Sequence, residues 1–151
     1  MRRGYLLDTN VLSATAPDRR ESPDTAKQAA REWIKAHEGI LWLPITAIAE
    51  IAAGIGQREG NGATRHAGQL SAWLRSLLAA YPDRILTFGI AEALCCRQLG
   101  LTARQSCIQP GFADMSVASI AIINDLIVAT RNTRHFSTMG AEVVNPFTQR
   151  T

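Results

Sequence analysis

Residues 111–136, GFADMSVASIAIINDLIVATRNTRHF, decide how the rest of the chain is read. The stretch predicts a helix opening at Ala113-Asp114 and a tight turn at Asn124-Asp125. A buried strand over 126–130 and a polar turn at Arg131-Asn132-Thr133 complete it. Met115, Val117, Ala118, Ile120, Ala121 and Ile122 cover most of the helix circumference, so that helix is expected to be buried almost all round. Asp114 stands in its first turn, and a carboxylate there has two readings. It suits a helix start as a cap favoured by the dipole. Alternatively, it is a charge kept in apolar surroundings for a purpose, since such a group is costly unless something pairs with it. Two further carboxylates in apolar settings, Asp8 and Glu50, weigh towards the second.

Working outward, Gly4-Tyr5-Leu6-Leu7 is a short apolar run that stops at Asp8-Thr9-Asn10, and it reads as a buried strand. Residues 11–13 continue as a helical turn, and 16–24 form a polar loop. Ser22-Pro23 has the form of an N-cap with proline at the first helical position. The helix that follows carries Ala26, Ala29, Ala30, Trp33 and Ile34 on one face and stops at Gly39. Residues 40–43 are a second buried strand, closed by Pro44. Thr46 is expected to cap the next helix, whose core face is Ile48, Ile51, Ala52 and Ile55, with Glu50 inside it. A polar, glycine-rich link over 57–62 leads to a helix with Leu70, Trp73, Leu74, Leu77 and Leu78 at helical spacing. That stripe reads as core. Residues 85–88 are a third strand, 90–99 a helix ending at Gly100, 101–110 a loop, and 141–145 a last, edge strand.

Strands alternating with helices imply an α/β fold, a parallel sheet covered on both faces. The 151 residues are read as one domain over 1–151. Ligands of such sheets bind beyond the carboxyl ends of the strands. Asp8 lies just past the first strand and Asn132 just past the strand at 126–130. Glu50 and Asp114 lie on helices able to reach the same edge, so the order of elements predicts that these residues converge.

Hydrophobic residues at 46% and charged residues at 19% describe an ordinary globular chain, which excludes a disordered or fibrous one. The net charge of +3 hides a division. With Asp8, Glu50 and Asp114 set aside in one cleft, 16 basic side chains face ten acidic ones elsewhere. An acidic pocket in a basic surface suits an anionic polymer held around a metal centre. Cys95, Cys96 and Cys107 form no CxxC pair and are odd in number, so buried thiols in a reducing, cytoplasmic compartment are expected, without zinc or disulfides. The apolar run after the N-terminus is too short for a signal peptide, and no apolar stretch is long enough to span a membrane.

Three carboxylates sharing a pocket repel one another and lose hydration, so they need a cation, and without one at least one of them should bind its proton more tightly than usual. Oxygen ligands with no Cys or His beside them select Mg²⁺ or Mn²⁺ over zinc. An ion held this way activates water and offsets charge on a phosphate under attack. No P-loop is present and no Ser-His-Asp set is evident. His37, His66 and His135 sit in polar contexts and read as solvated rather than as general bases; His135 stands out because it follows the Asn132 turn. Thr9 and Asn10 read as fixing the turn that aims Asp8. Thr130 is either a hydrogen-bond partner of a ligand carboxylate or a structural strand end. Arg131 and Arg134 flank the cleft, as phosphate-holding or merely solvated side chains.

LLDTNVLS near the N-terminus, a glutamate early in the helix after LWLP, FAD opening a helix, and ATRNTRHF after a strand together resemble the PIN-domain family. More narrowly, they resemble its VapC and FitB branch of bacterial toxin ribonucleases, from about Tyr5 to Phe147. The resemblance implies a single α/β/α domain with a central parallel sheet and Mg²⁺- or Mn²⁺-dependent cleavage of RNA. Asp8 and Asp114 would be the principal metal ligands, with Glu50 completing the acidic centre directly or through a water. Asn132 falls where many members have a fourth aspartate, and is kept as a polar ligand or water-positioning group. Asn124-Asp125 stands where relatives often have His-Gly, and Asp125 is read as a turn residue. The resemblance further implies a homodimer and a cognate antitoxin that blocks the cleft, with DNA contacted only through that antitoxin. Two other readings stay open: a FitB-like subunit of a DNA-bound regulatory complex with little catalysis, and a housekeeping RNA-processing nuclease. The intact set Asp8, Glu50 and Asp114 favours a toxin ribonuclease.

Overall fold

The computed structural model describes residues 3–18 and 24–148. Among them five strands and seven α-helices alternate along the chain. They are β1 (Tyr5–Leu7), α1 (Thr9–Ser13), α2 (Thr25–Ala36), β2 (Leu41–Pro44), α3 (Ile45–Gly60), α4 (Thr64–Ala80), β3 (Ile85–Leu86), α5 (Ile90–Arg104), α6 (Phe112–Ile123), β4 (Ile127–Ala129), α7 (Thr133–Thr138) and β5 (Val143–Val144). The sheet is parallel throughout, in the order β3-β2-β1-β4-β5. The chain therefore builds outward from β1 in one direction through β3, then returns to place β4 on the other flank of β1. The order reverses between β1 and β4, and there the connections leave a crevice at the carboxyl ends.

Because side chains alternate across a strand, β1 feeds two cores at once. Leu7, Leu41, Leu43 and Ala129 join Trp33, Ile48, Ile51 and Leu70 on the face covered by α2, α3 and α4. Leu6 and Val128 join Val117, Ile120, Phe136 and Met139 on the face covered by α5, α6 and α7. The result is the α/β/α layering expected. As predicted, β5 lies at an edge, and Asp125 takes the turn with φ 53°, a conformation tolerated best by Gly, Asn and Asp. At the start of β1, a Cβ on Gly4 would lie 2.9 Å from the Ile40 carbonyl oxygen and 2.9 Å from Trp42 Nε1, so the strand depends on glycine for its close approach to β2.

Several elements differ from expectation. The link over 57–62 is largely helix, because α3 runs on to Gly60 and turns only at Asn61-Gly62, where Gly62 has φ 85°. Glycine weakens a helix without forbidding it, and Gly54 and Gly56 sit inside this one. In the same way α5 passes Gly100 and ends at Arg104, burying Leu99 and Ala103. Thr46 is not a cap: α3 begins one residue earlier after Pro44, and the Thr46 hydroxyl accepts a hydrogen bond from Ser116 at 3.0 Å. At α2 the N-cap is Asp24, which accepts from the amides of Ala26 and Lys27; Ser22-Pro23 lies outside the described residues. That helix ends at Ala36, and Gly39 falls within a short 3₁₀ turn. The polar turn after β4 leads at once into α7, whose Phe136 is fully buried. Finally, α6 is buried over Ser116 to Ala121 but leaves Phe112, Ile122 and Ile123 exposed. Cys107 is exposed, contrary to the expectation of buried thiols, and all three cysteines are free. No helix among the described residues is long and apolar enough to cross a membrane.

A candidate acidic centre at the switch point of the sheet

Asp8 follows β1 and Thr130 follows β4, so adjacent strand ends deliver these two side chains to the crevice. Asp8 is also the N-cap of α1, its Oδ1 accepting from the Thr9 amide at 2.8 Å. Its Oδ2 accepts from the Thr130 hydroxyl at 2.8 Å and from Asn10 Nδ2 at 3.1 Å. Three donors thus fix a carboxylate that is only 5% exposed. Thr130 is fully buried, and its oxygen in turn accepts from the Asn132 amide at 3.0 Å. Asn10 reaches across to accept from the Arg131 amide at 3.1 Å. Both readings of Thr130 are therefore met, since it ends the strand and holds Asp8.

Glu50 lies one turn into α3 and is exposed, not set in apolar surroundings as its sequence neighbours suggest. The Thr9 hydroxyl donates to its Oε2 at 2.8 Å. Thr9 consequently ties two carboxylates, Asp8 through its amide and Glu50 through its hydroxyl. Asp114 occupies the first turn of α6 with its side chain 24% exposed. The capping position of that helix belongs to Gly111. Rather than bonding a helix amide, Asp114 Oδ2 lies 3.1 Å from His135 Nδ1 on α7. Asn132 precedes α7 at the mouth, exposed and without a side-chain capping bond.

The electrostatics follow the geometry. Burial pushes the Asp8 carboxyl above the ordinary aspartate range; the hydrogen bonds from Thr130 and Thr9 pull it back, and the charges of Asp114 and Glu50 push it further up. Those last contributions mean that the three acidic groups lie within electrostatic reach of one another. None of the ion pairs among the described residues involves Asp8 or Glu50. No three Asp, Glu, His or Cys side chains among the described residues close tightly enough to hold an ion unaided. A buried carboxylate held by neutral donors, facing two more acidic groups and paired with no cationic side chain among the described residues, nonetheless fits a hard ion bound by oxygen and completed by water.

A groove of about 750 Å³ shares Thr9, Asn10 and Glu50 with this centre and extends over Leu70, Trp73 and Phe147. The Arg131 guanidinium, also on its wall, stacks 3.9 Å above the Phe147 ring. Of the histidines, His37 is not solvated: it stacks on Trp33 at 4.3 Å and its Nδ1 lies 2.7 Å from the Trp33 carbonyl oxygen. His66 lines the groove. Thr9 and Asn10 fix the turn that aims Asp8 as expected, but the Thr9 hydroxyl bond to Glu50 and the contact of His135 with Asp114 were missed from sequence. A hydroxyl beside Asp8 and an imidazole after the Asn132 turn were the only signals for them.

The family model described as PIN domain matches residues 5–142. A plasmid stability protein, StbB, of Pseudomonas syringae pv. tomato is 32% identical over 148 residues, covering 94% of this chain and 97% of its own. A VapC ribonuclease of Sinorhizobium fredii is 30% identical over 148 residues, covering 94% and 96%. Among solved structures, FitAcB from Neisseria gonorrhoeae superposes with a TM-score of 0.81 at 26% identity, over 96% of this chain and 99% of that one.

Proposed function

The chain belongs to the PIN domain family, and from that premise we propose that it is the ribonuclease toxin of a toxin–antitoxin pair, hydrolysing RNA with Mg²⁺ or Mn²⁺. One observation carries the reading: Asp8, buried without a cationic partner among the described residues, shares the switch-point crevice with the charges of Asp114 and Glu50. Burying a carboxylate among like charges is too costly to persist without use. The similarity to a VapC ribonuclease supports the same reading.

Asp8 and Asp114 would hold the ion, with Glu50 completing the centre directly or through a water. When bound, such an ion lowers the pKa of a water and offsets charge at the phosphate. The protein supplies the rest. Thr9, Asn10 and Thr130 hold Asp8 in place before substrate arrives, so little reorganisation is left for the reaction itself. The Asn132 side-chain carboxamide, at the mouth, orients a water or a phosphate oxygen. Arg131, steadied by Phe147, offers planar donors to a neighbouring phosphate of the RNA.

The groove beside the centre suits an antitoxin tail, its apolar residues over Leu70 and Trp73 and a basic side chain at Glu50 and Asp8. DNA would be reached through that antitoxin. A second copy of the chain would pair through α5, whose Ile90, Leu94 and Leu101 form one exposed apolar stripe. The test is cleavage by antitoxin-free protein. RNA should be cut with Mg²⁺ or Mn²⁺, cutting should stop on chelation, and Asp114→Asn should abolish it in a folded protein. Undiminished cleavage in excess chelator would overturn the metal mechanism, and parental cleavage by Asp114→Asn would overturn the site.

A further inference from the structure

We infer that His135 is the positioning residue of Asp114, setting the orientation in which that carboxylate meets a metal ion; the inference rests on the metal-dependent reading above. Asp8 is fixed by three donors and Glu50 by the Thr9 hydroxyl. Among the described residues, the only side chain that does the same for Asp114 is His135, whose Nδ1 stands 3.1 Å from Oδ2. Against a carboxylate oxygen the proton belongs on the ring nitrogen, so Nδ1–H donates.

The ring is held by its helix. Phe136, next in the chain, is fully buried, and Met139 beyond it is 2% exposed. These anchors set the α7 backbone against the sheet and so fix where the His135 side chain starts relative to α6. The same short helix follows directly on Asn132, whose amide is tied through Thr130 to Asp8. One element thereby registers Asp114 on one side of the crevice against Asp8 on the other. The ring is 51% exposed, so as a simple surface contact it would add little to stability. Its leverage is on ligand geometry, where loss of an outer hydrogen bond lowers metal affinity about 10- to 100-fold.

The contact through Nδ1 gives a selective test. Asparagine places its amide nitrogen near the position of Nδ1, glutamine near that of Nε2, and leucine supplies neither. Mn²⁺ affinity of the metal-free protein is to be measured by calorimetry for the parent and for His135→Asn, His135→Gln and His135→Leu, with a thermal melt of each without metal. The expected result is a loss of about 10- to 100-fold for Leu and Gln, with Asn within about threefold of the parent. Parental affinity in the Leu variant overturns the inference and leaves the acidic centre standing. Rescue by Gln and not by Asn also overturns it. A parent that binds no Mn²⁺ removes the metal reading and this inference with it. Should the Leu variant fail to fold, the contrast between Asn and Gln decides.

Discussion

A single carboxylate, Asp8, gathers most of the chemistry, and its proton affinity is the most direct handle on it. Its carboxyl is raised above the ordinary value of 3.8, by burial first and by Asp114 and Glu50 after. A carboxyl raised in the folded state holds a proton there at pH values where the unfolded chain has already lost it. Metal-free stability should therefore fall as pH rises from about 3.8 through the raised value, and Asp8→Asn should flatten that slope in urea unfolding across the range. Asp18, pulled below 3.8 by Lys27 and Arg31, acts in the opposite sense and only beneath that pH. Asp114→Asn should leave metal-free stability equal to the parent's or higher by about 1 kcal/mol in the same assay, since Asp114 bonds no helix amide in α6 and its charge opposes Asp8. Residues of this kind were readable because an apolar run ended in an acid. The holders of Asp8 were legible in Thr9, Asn10 and Thr130, but the Thr9–Glu50 and Asp114–His135 contacts were not, because those partners lie 41 and 21 residues apart in sequence.

At the level of elements, hydrophobic pattern located all five strands and most helices, and it erred where glycine or polarity argued against packing. α3 and α5 run through glycines because buried Ile55, Leu99 and Ala103 offset the small loss of helix propensity. α7 escaped notice because it is short and polar except at Phe136, yet burying that one ring contributes about 1.5–3 kcal/mol. Its signals were Asn132 as a helix start and Phe136 and Met139 three apart. β1 depends on tight backbone approach at its first residues. Gly4→Ala should cost about 1–3 kcal/mol, because the added Cβ meets the Ile40 carbonyl, which cannot move aside as a flexible side-chain end can. The urea midpoint should drop at unchanged slope; a midpoint equal to the parent's would show that β1 and β2 can separate freely.

For the whole molecule, the stripe on α5 holds the two most exposed large hydrophobic side chains among the described residues, Ile90 at 81% and Leu94 at 73%. Leu94→Glu should turn the expected dimer into a monomer in light scattering, with the melting temperature of the monomer little changed, as Leu94 contributes little to either core. A dimer that persists would place the pairing face elsewhere. The sheet's order has a consequence of another kind, one of timing. β1 precedes the other four described strands along the chain, yet it lies at the middle of the sheet, with Tyr5 paired to Leu41 on one side and to Ile127 on the other. Contacts so distant along the chain form late and slowly. While translation proceeds, Asp8 waits with neither Thr130 to hold it nor Asp114 opposite it. A chain interrupted before Asp114 carries two of the three acids, and one interrupted before Ile127 carries all three but lacks the strand that brings Thr130 to Asp8. The crevice around Asp8 is therefore assembled only once β4 has been made and paired with β1.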